Sequence, residues 1–382
     1  MKVIFQKEVI CSAVVPLMSG ISTKNTIPAT ECILMEATAD GRCVMTTYDT
    51  EKGARIVIEA TVLEAGSYLI NATKFAHTVR AMDGENITLV IDGKNCVTIS
   101  AGKSSHTMSA LPASDFPEIP RLTSEHGFTV NAKVLRSMIA KCMFAMGIND
   151  MRAILNGMYF QIDGNQLSLV SCDTFKIAVC STLTDMKNLN ESRTDAYKFI
   201  VPNRSVGEIY KLIAGIDEDV SVFLTRKSVV LSFENMTFFS KIIEGEYMDY
   251  NRVIDRSHRI SVHVDREDFL AALERVALVT EEKSGSSHVK LTTADGVLQI
   301  SAMSNTGSAY DEISADIDGQ DIVIAFNNRY LMDSLRACTA ERIKLSLSGP
   351  HAGMNIQPAD PETEDRAGDS ELFMILPVRM KN

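Results

Sequence analysis

Apolar and polar residues alternate with period two in three stretches of this chain: ILMEATADGRCVMTTYDT (33–50), MYFQIDGNQLSLVSCDT (158–174) and VKLTTADGVLQISAMSNT (289–306). In each, two alternating runs flank an Asp-Gly pair, and the second run ends in Asp-Thr or Asn-Thr. Alternation predicts strands with one buried face. Asp-Gly between two such runs predicts a type I′ hairpin turn, which needs positive φ at both central residues. The turn residues Asp40, Asp163 and Asp295 recur roughly every 130 residues, far beyond the 20–50-residue periods of solenoids and propellers. Each copy is therefore expected to hold its own core.

A second marker keeps the same step. SYLINATKFAHTVRAM, KFIVPNRSVGEIYKLI and VIAFNNRYLMDSLRAC each show a short apolar strand, then Asn, then a helical pattern. Asn71, Asn203 and Asn328 sit where an N-cap would accept a bond from an orphan helix N–H. Two further strand-like runs follow each of these helices, such as NITLVI and CVTIS. Another helix opens each repeat, most clearly NAKVLRSMIAKCMFAM (131–146) and DREDFLAALERVALV (265–279). The order helix, hairpin, helix, hairpin predicts an α+β fold with sheets and helices in separate layers. Polar, turn-rich stretches near 117–127 and 253–259 set the expected domains at 1–124, 125–254 and 255–382. The acidic stretch QPADPETEDRAGDSE (357–371) reads as a mobile loop between the last two strands.

The formal net charge of −11 at first argues against a nucleic-acid partner, because DNA binders displace counterions with positive charge. The distribution along the helices changes that picture. On 131–146, Val134, Leu135, Met138, Ile139, Cys142 and Met143 share one side, while Lys133, Arg136, Ser137, Ala140 and Lys141 fall opposite with no acid among them. Arg204 and Lys211, and likewise Arg329 and Arg336, are seven apart on one face, and Lys74 holds the matching start in the first repeat. The helix at 265–279 breaks the pattern with Glu267, Asp268 and Glu274 beside Arg266 and Arg275. Basic residues gathered on one layer of an acidic chain suit weak, mobile contact with phosphates.

No run of about 18 apolar residues is present, so a membrane helix is not expected. The start lacks the continuous apolar core of a secretory signal, which predicts a cytoplasmic protein. Eight scattered cysteines without a C-x-x-C pair read as reduced, packed thiols. No cofactor or metal is expected, since the seven histidines form no H-E-x-x-H. Gly102-Lys103-Ser104 lacks the leading glycine of a phosphate loop, position 97 being Val97. Asp49, Asp173 and Asn305 recur, but a carboxylate that becomes an amide in one copy reads as a turn cap rather than an acid or base. A hydrolase working with carboxylates at repeat interfaces finds no convergent titratable groups. A scaffold without DNA would not need basic helices in register.

Together with the triple repeat, LNGMYF (155–160), SCDTFKIAVCS (171–181), SALPASDFPEIP (109–120), IIEGEYMDYNRVI (242–254) and ILPVRM (375–380) resemble the bacterial DNA sliding clamps, the beta subunits of DNA polymerase III, over essentially the whole chain. The resemblance implies three clamp domains per subunit. It implies a head-to-tail homodimer closed into a six-domain ring, with helices lining the hole and antiparallel sheets outside. It also implies a processivity factor without chemistry of its own. Its partners would be double-stranded DNA held topologically and without sequence preference, a clamp loader, the replicative polymerase and other proteins with clamp-binding motifs. A ring converts affinity into topology, so a tethered polymerase meets its template at high effective concentration.

Carried over residue by residue, the family's peptide groove between the second and third domains falls on Leu155, Cys172, Thr174, Phe175, Lys176, Ile177, Met248, Arg252, Val253, Asn327, Tyr330, His351, Met374, Ile375, Leu376, Pro377, Val378, Arg379 and Met380. The chain departs from the family at Thr174, Phe175 and Lys176, where Gly-His-Arg is frequent, and at Ser284, where an aromatic is frequent; a different peptide preference is expected. Ala153 and Ile154 replace paired tyrosines that can touch DNA, leaving Lys24, Asn149 and Arg152 as loop candidates beside the DNA-facing set Lys74, Lys133, Arg136, Lys141, Arg204, Lys211, Arg329 and Arg336. The subunit interface falls on His106, Met108, Leu278 and Val279, with Lys74 and Lys103 nearby. Thr306, Gly307 and Ser308 stand where an acidic run is usual, which predicts a dimer held by apolar packing and strand pairing rather than by ion pairs.

Overall fold

Six times among the described residues a short strand runs straight into a short helix. Lys2–Gln6 leads into α1 (Lys7–Leu17), Gly66–Asn71 into α2 (Ala72–Ala81) and Gly127–Asn131 into α3 (Ala132–Cys142). Ala196–Pro202 leads into α4 (Asn203–Leu212), Ile260–Asp265 into α5 (Arg266–Ala277) and Val323–Asn327 into α6 (Asn328–Ala337). Two such units per repeat is the pattern expected from the sequence. The computed structural model describes residues 1–22, 27–122, 124, 126–189, 196–279, 288–305, 307–359 and 369–379.

The helices are amphipathic and bury one face. Ile10, Val14 and Leu17 of α1 and Phe75 and Val79 of α2 are inaccessible to solvent, as are Phe269 and Leu273 of α5 and Leu331 and Leu335 of α6. α1 packs on α2 and α5 on α6. α3 ends earlier than the apolar pattern predicts, at Cys142, and a single 3-10 turn, Met143–Ala145, follows.

The chain divides into two compact units. One comprises Met1–Ala132, Met186–Arg193 and Lys211–Ile242; the other comprises Lys133–Asp185, Thr194–Tyr210 and Ile243–Asn382. The first contains a thirteen-stranded antiparallel sheet. In it, Met236–Lys241 of the second repeat pairs with Lys52–Glu59 of the first, Met236 opposite Ile56 and Ser240 opposite Lys52. The ladder brings backbones so close that a Cβ on Gly53 would lie 2.3 Å from the Phe239 ring and 2.5 Å from the Thr47 carbonyl oxygen. The second unit holds a nine-stranded and a four-stranded sheet. In the nine-stranded sheet Lys176–Leu183 pairs with Ser370–Ile375, joining the second repeat to the third. Strand pairing thus crosses both of the boundaries expected from polar composition.

Two local expectations are corrected. A type I′ turn forms only in the third repeat, where Asp295 (φ 47°) and Gly296 (φ 80°) both take positive φ. In the second repeat Asp163 pairs with Gln166, so Gly164 and Asn165 make the turn, and only Gly164 has positive φ. In the first, the loop is longer and Thr38 N–H donates to the Arg42 carbonyl. The helix cap also shifts by one residue. Asn71 does cap α2, accepting from Lys74 N–H at 3.0 Å. In α6 the cap is Asn327, which accepts from Arg329 and Tyr330 N–H, whereas Asn328 is buried inside the first turn and donates to the Leu273 carbonyl. Asn203 is likewise within α4 and donates to the Gly147 carbonyl, with Pro202 before it.

All eight cysteines are free thiols, six of them buried and Cys96 exposed. Burial pushes the thiols of Cys43, Cys172 and Cys338 up to about 12. Because the thiolate is the reacting species, iodoacetamide at pH 8 should modify Cys96 in the native protein and reach Cys43, Cys172 and Cys338 only after denaturation. Peptide mapping by mass spectrometry checks this, and labelling of Cys172 as fast as Cys96 would contradict the packing.

Candidate functional site

The repeat motif Asp-Thr-x-Lys closes two hairpins by the same device. Asp49 accepts from the N–H groups of Glu51 and Lys52 at 3.0 and 2.8 Å and lies 3.6 Å from the Lys52 ammonium. Asp173 accepts from Phe175 and Lys176 N–H at 2.7 and 2.8 Å and forms an ion pair with Lys176. This is the turn-capping role expected of both aspartates. The tight turn leaves Phe175 at its tip, 52% exposed, while Lys176 folds inward and is buried.

Beside this turn lies a buried apolar floor made of Leu155, Val170, Cys172, Ile177, Ile200, Tyr247 and Met374, with Met248, Tyr250 and Leu372 packed against it. Ile177 stands opposite Met374 across the ladder that joins the second and third repeats. Leu155 is fixed by a loop knotted through Asp150: Asp150 N–H donates to Asn156 Oδ1 at 2.7 Å, and the Asn156 amide donates to the Asp150 carbonyl at 2.8 Å. Arg152 bonds Asp150 at 3.1 Å and reaches Thr174 Oγ1 at 3.1 Å. Hydrogen bonds from Arg152 hold the Asp150 carboxyl down at about 2.

Tyr330 forms the opposite wall. The Asn327 cap positions it in the first turn of α6, its ring 6.1 Å from that of Phe175 and 4.6 Å from the Lys176 ammonium. The C-terminal segment then crosses the site: Leu376 N–H donates to the Phe175 carbonyl at 2.9 Å and Val378 N–H to that of Ala325 at 2.8 Å. Leu376 and Val253 are exposed, Pro377 and Val378 half-buried, and Ile375 buried. Arg252 is exposed and pairs with Asp249 at 2.9 Å. His351 and Arg379 are exposed. Met380 lies outside the described residues.

The structure gives several of the expected basic residues partners within the chain. Arg136 lies over the Tyr210 ring at 4.3 Å and donates to the Tyr210 carbonyl. Lys141 bonds the buried Glu371 at 2.6 Å. Burial opposes the charge on Lys141, but Glu371 outweighs it and raises the ammonium above its ordinary value. Arg336 pairs with Glu274 at 2.8 Å and Arg275 with Asp311 at 2.5 Å, while Arg329 faces Asp333 at 3.7 Å. The acids of α5, unexplained by the helical pattern, thus include a direct partner for an arginine on α6. Lys74, Lys133, Asn149, Arg204 and Lys211 are exposed. Lys24, Ser284, Thr306 and positions 360–368 of the acidic stretch lie outside the described residues.

Among the residues expected at a subunit interface, Lys103 and His106 are exposed and Met108 half-buried, on or next to the strand Ser104–Pro112. That strand pairs with Cys96–Ala101 on one side, but on the other, among the described residues, only Ala110–Pro112 is paired, leaving Ser104–Ser109 an open edge. Ser308–Ser314 is one of the two outer strands of the four-stranded sheet, with Tyr310 59% exposed. Leu278 is 85% exposed and Val279 half-buried.

Three domain models match in succession: DNA polymerase III beta subunit, N-terminal domain, over residues 1–120, the central domain over 129–249 and the C-terminal domain over 251–366. The chain belongs to the DNA polymerase III beta subunit family. It is 25% identical over 372 residues to the beta sliding clamp of Staphylococcus aureus, covering 95% of both chains. The DNA polymerase III subunit beta of Pseudomonas aeruginosa superposes with a TM-score of 0.90 at 25% identity, over 99% of this chain and 100% of that one. The sliding clamp of Bacillus subtilis shares the fold at a TM-score of 0.92 and 24% identity, over the full length of both.

The protein is thus a beta sliding clamp, a non-catalytic processivity subunit of DNA polymerase III built from three clamp domains of antiparallel sheets and helices. No helix is long and apolar enough to cross a membrane among the described residues. Sequence reasoning missed Val170, Ile200 and Tyr247 of the apolar floor, although the inward register of Gln166–Cys172 would have pointed to Val170. Removing Asp173 strands a buried ammonium, which costs about 3–5 kcal/mol when a buried pair loses one member. Asp173→Ala should therefore lower unfolding stability by about 3 kcal/mol, and adding Lys176→Met should restore much of it; urea denaturation of both variants measures the difference.

Proposed function

We propose that two copies of this chain close head to tail into a ring around duplex DNA, with domains 1–124, 125–254 and 255–382. The free edge Ser104–Ser109 of one copy meets Ser308–Ser314 of the other. Antiparallel pairing satisfies both edges, and Leu278, Val279, Met108 and His106 exclude water around it. Lys74, Lys133, Arg204, Lys211, Arg329 and Arg336 face the hole. Arg329 and Arg336 are already partly neutralised by Asp333 and Glu274, so phosphates are attracted without being held. Arg136, Lys141, Asn149, Arg152 and Lys24 complete the set proposed to face DNA. The ring is opened and loaded by a clamp loader and works in the cytoplasm.

The replicative polymerase and other partners dock short peptide segments in the groove floored by Leu155, Cys172, Ile177 and Met374. Thr174, Phe175, Lys176, Met248, Arg252, Val253, Asn327, Tyr330, His351, Ile375, Leu376, Pro377, Val378, Arg379 and Met380 form its walls and rim. The observation that carries this reading is the apolar cluster of Leu155, Cys172, Ile177 and Met374 directly beside the turn and the C-terminal segment that leave Phe175 and Leu376 exposed.

Protein loaded on a nicked circular plasmid should fall off when the circle is linearised, as gel filtration of the complex would show; retention on the linear product excludes a topological tether. Changing Arg252 and Tyr330 together to Ala should weaken polymerase binding at least ~10-fold. Sedimentation should show the dimer of that variant intact in low and high salt alike. Unchanged polymerase affinity would refute the groove assignment.

A further inference from the structure

We infer that a cavity beside the segment 250–258 binds a small uncharged molecule with an apolar body and a polar head that both accepts and donates a hydrogen bond, a carboxamide above all. The cavity encloses about 370 Å³, within the range of small-molecule sites. It lies within the second compact unit. Val179 and Leu372, opposite each other on neighbouring strands, form its apolar side with Ile254. Asn355 and His258 supply its polar side.

Asn355 is 1% exposed, and its orientation is fixed. Its amide nitrogen donates to the Asp255 carbonyl at 2.8 Å and lies 3.0 Å from His258 Nε2. Turning the amide over would set its oxygen against that carbonyl oxygen. An amide nitrogen only donates, so His258 Nε2 must accept. Burial, helped by the Lys344 charge, outweighs Asp255 and lowers the His258 pKa, which keeps the ring neutral at neutral pH. Its one proton is therefore on Nδ1. His258 Nδ1 and Asn355 Oδ1 are both buried and have no partner among the described residues. The same is true of Oγ of Ser346, opposite Asn355, and of Ser261, opposite Ser346. Such groups are rare in folded proteins, because each costs free energy until something bonds it.

A donor and an acceptor in one cavity set the charge of the ligand. A carboxylate would oppose Asn355 Oδ1 and an ammonium would oppose His258 Nδ1–H, whereas a carboxamide satisfies both. Of the charged lining residues, Glu371 is paired with Lys141, and Arg256 is exposed to water and bonds Asn251 Oδ1 at 3.1 Å.

Ligand-observed NMR titration of the full-length protein tests the assignment with three probes of one shape: benzamide, benzoate and benzylamine. Benzamide should bind with a Kd on the order of 1 mM, and the two charged probes at least ~10-fold more weakly. His258→Phe removes the donor, and Gln357→Trp fills the cavity from a half-buried position on its lining. Each should weaken benzamide at least ~10-fold. In a crystal soaked with benzamide, the carboxamide should lie within hydrogen-bond distance of His258 Nδ1 and Asn355 Oδ1. No measurable benzamide binding, equal binding of either charged probe, binding unchanged in both variants, or a soaked crystal with only water on those two atoms would overturn the inference. None of these outcomes bears on the groove, in which neither His258 nor Gln357 takes part.

Discussion

A strand edge presents a row of unpaired N–H and C=O groups, and every such row must find a partner, water or protection. That requirement organises this chain. Each repeat makes hairpins whose outer strands would be left open if the repeat stood alone. The second repeat has Met236–Lys241 paired to the first and Lys176–Leu183 paired to the third. Backbone hydrogen bonds therefore bridge the repeats as they bridge strands within one. Polar composition marks where the chain passes between repeats, but it carries no information about which strand edges then meet.

The same requirement explains which features were legible in the sequence. Period-two alternation around Asp-Gly located three hairpins, and apolar residues at helical spacing located the helices, because both patterns are local. The turn type was not legible. Asp163-Gly164 and Asp295-Gly296 look alike, yet the ladder register puts the first turn one residue later, on Gly164 and Asn165. Register is set by the pairing of the whole strand, not by the dipeptide. The helix cap failed for a related reason. Two asparagines in a row, Asn327 and Asn328, both suit a cap chemically; the one that ends the strand with extended backbone takes the role, and the next turns into the core.

Long-range charge pairing was equally hidden. Glu274 on α5 and Arg336 on α6 are far apart in sequence, and helical periodicity assigns each to a solvated face without revealing that they meet. The net charge of −11 therefore says less than where the acids stand. Glu274, Asp311 and Asp333 lie against arginines, which softens the positive field of those helices without abolishing it. Affinity for phosphates rises steeply with each fully available cation, so such pairing lowers what these helices could offer to a polyanion.

The Asp-Thr-x-Lys turn shows how duplication changes the side chains carried by one structural device. In the first repeat, Asp49-Thr50-Glu51-Lys52 closes its hairpin with the lysine buried against the Ser19 carbonyl, while Glu51 bonds Lys241 at 3.1 Å across the junction with the second repeat. In the second repeat, Asp173-Thr174-Phe175-Lys176 keeps the aspartate bonds to backbone N–H and the inward lysine. The position of Glu51 is taken by Phe175, whose carbonyl accepts from Leu376 N–H as that of Glu51 does from Lys241 N–H, but whose side chain faces solvent and Tyr330 instead of bonding the neighbouring repeat. In the third repeat the motif has become Asn305-Thr306-Gly307-Ser308, without the carboxylate or the lysine. The fold needs the tight turn where the sheet continues past it. At the second junction, where the sheet likewise continues into the next repeat, the same rigid turn presents an aromatic ring instead of a carboxylate, and its lysine, already bound to Asp173, covers the Tyr330 ring.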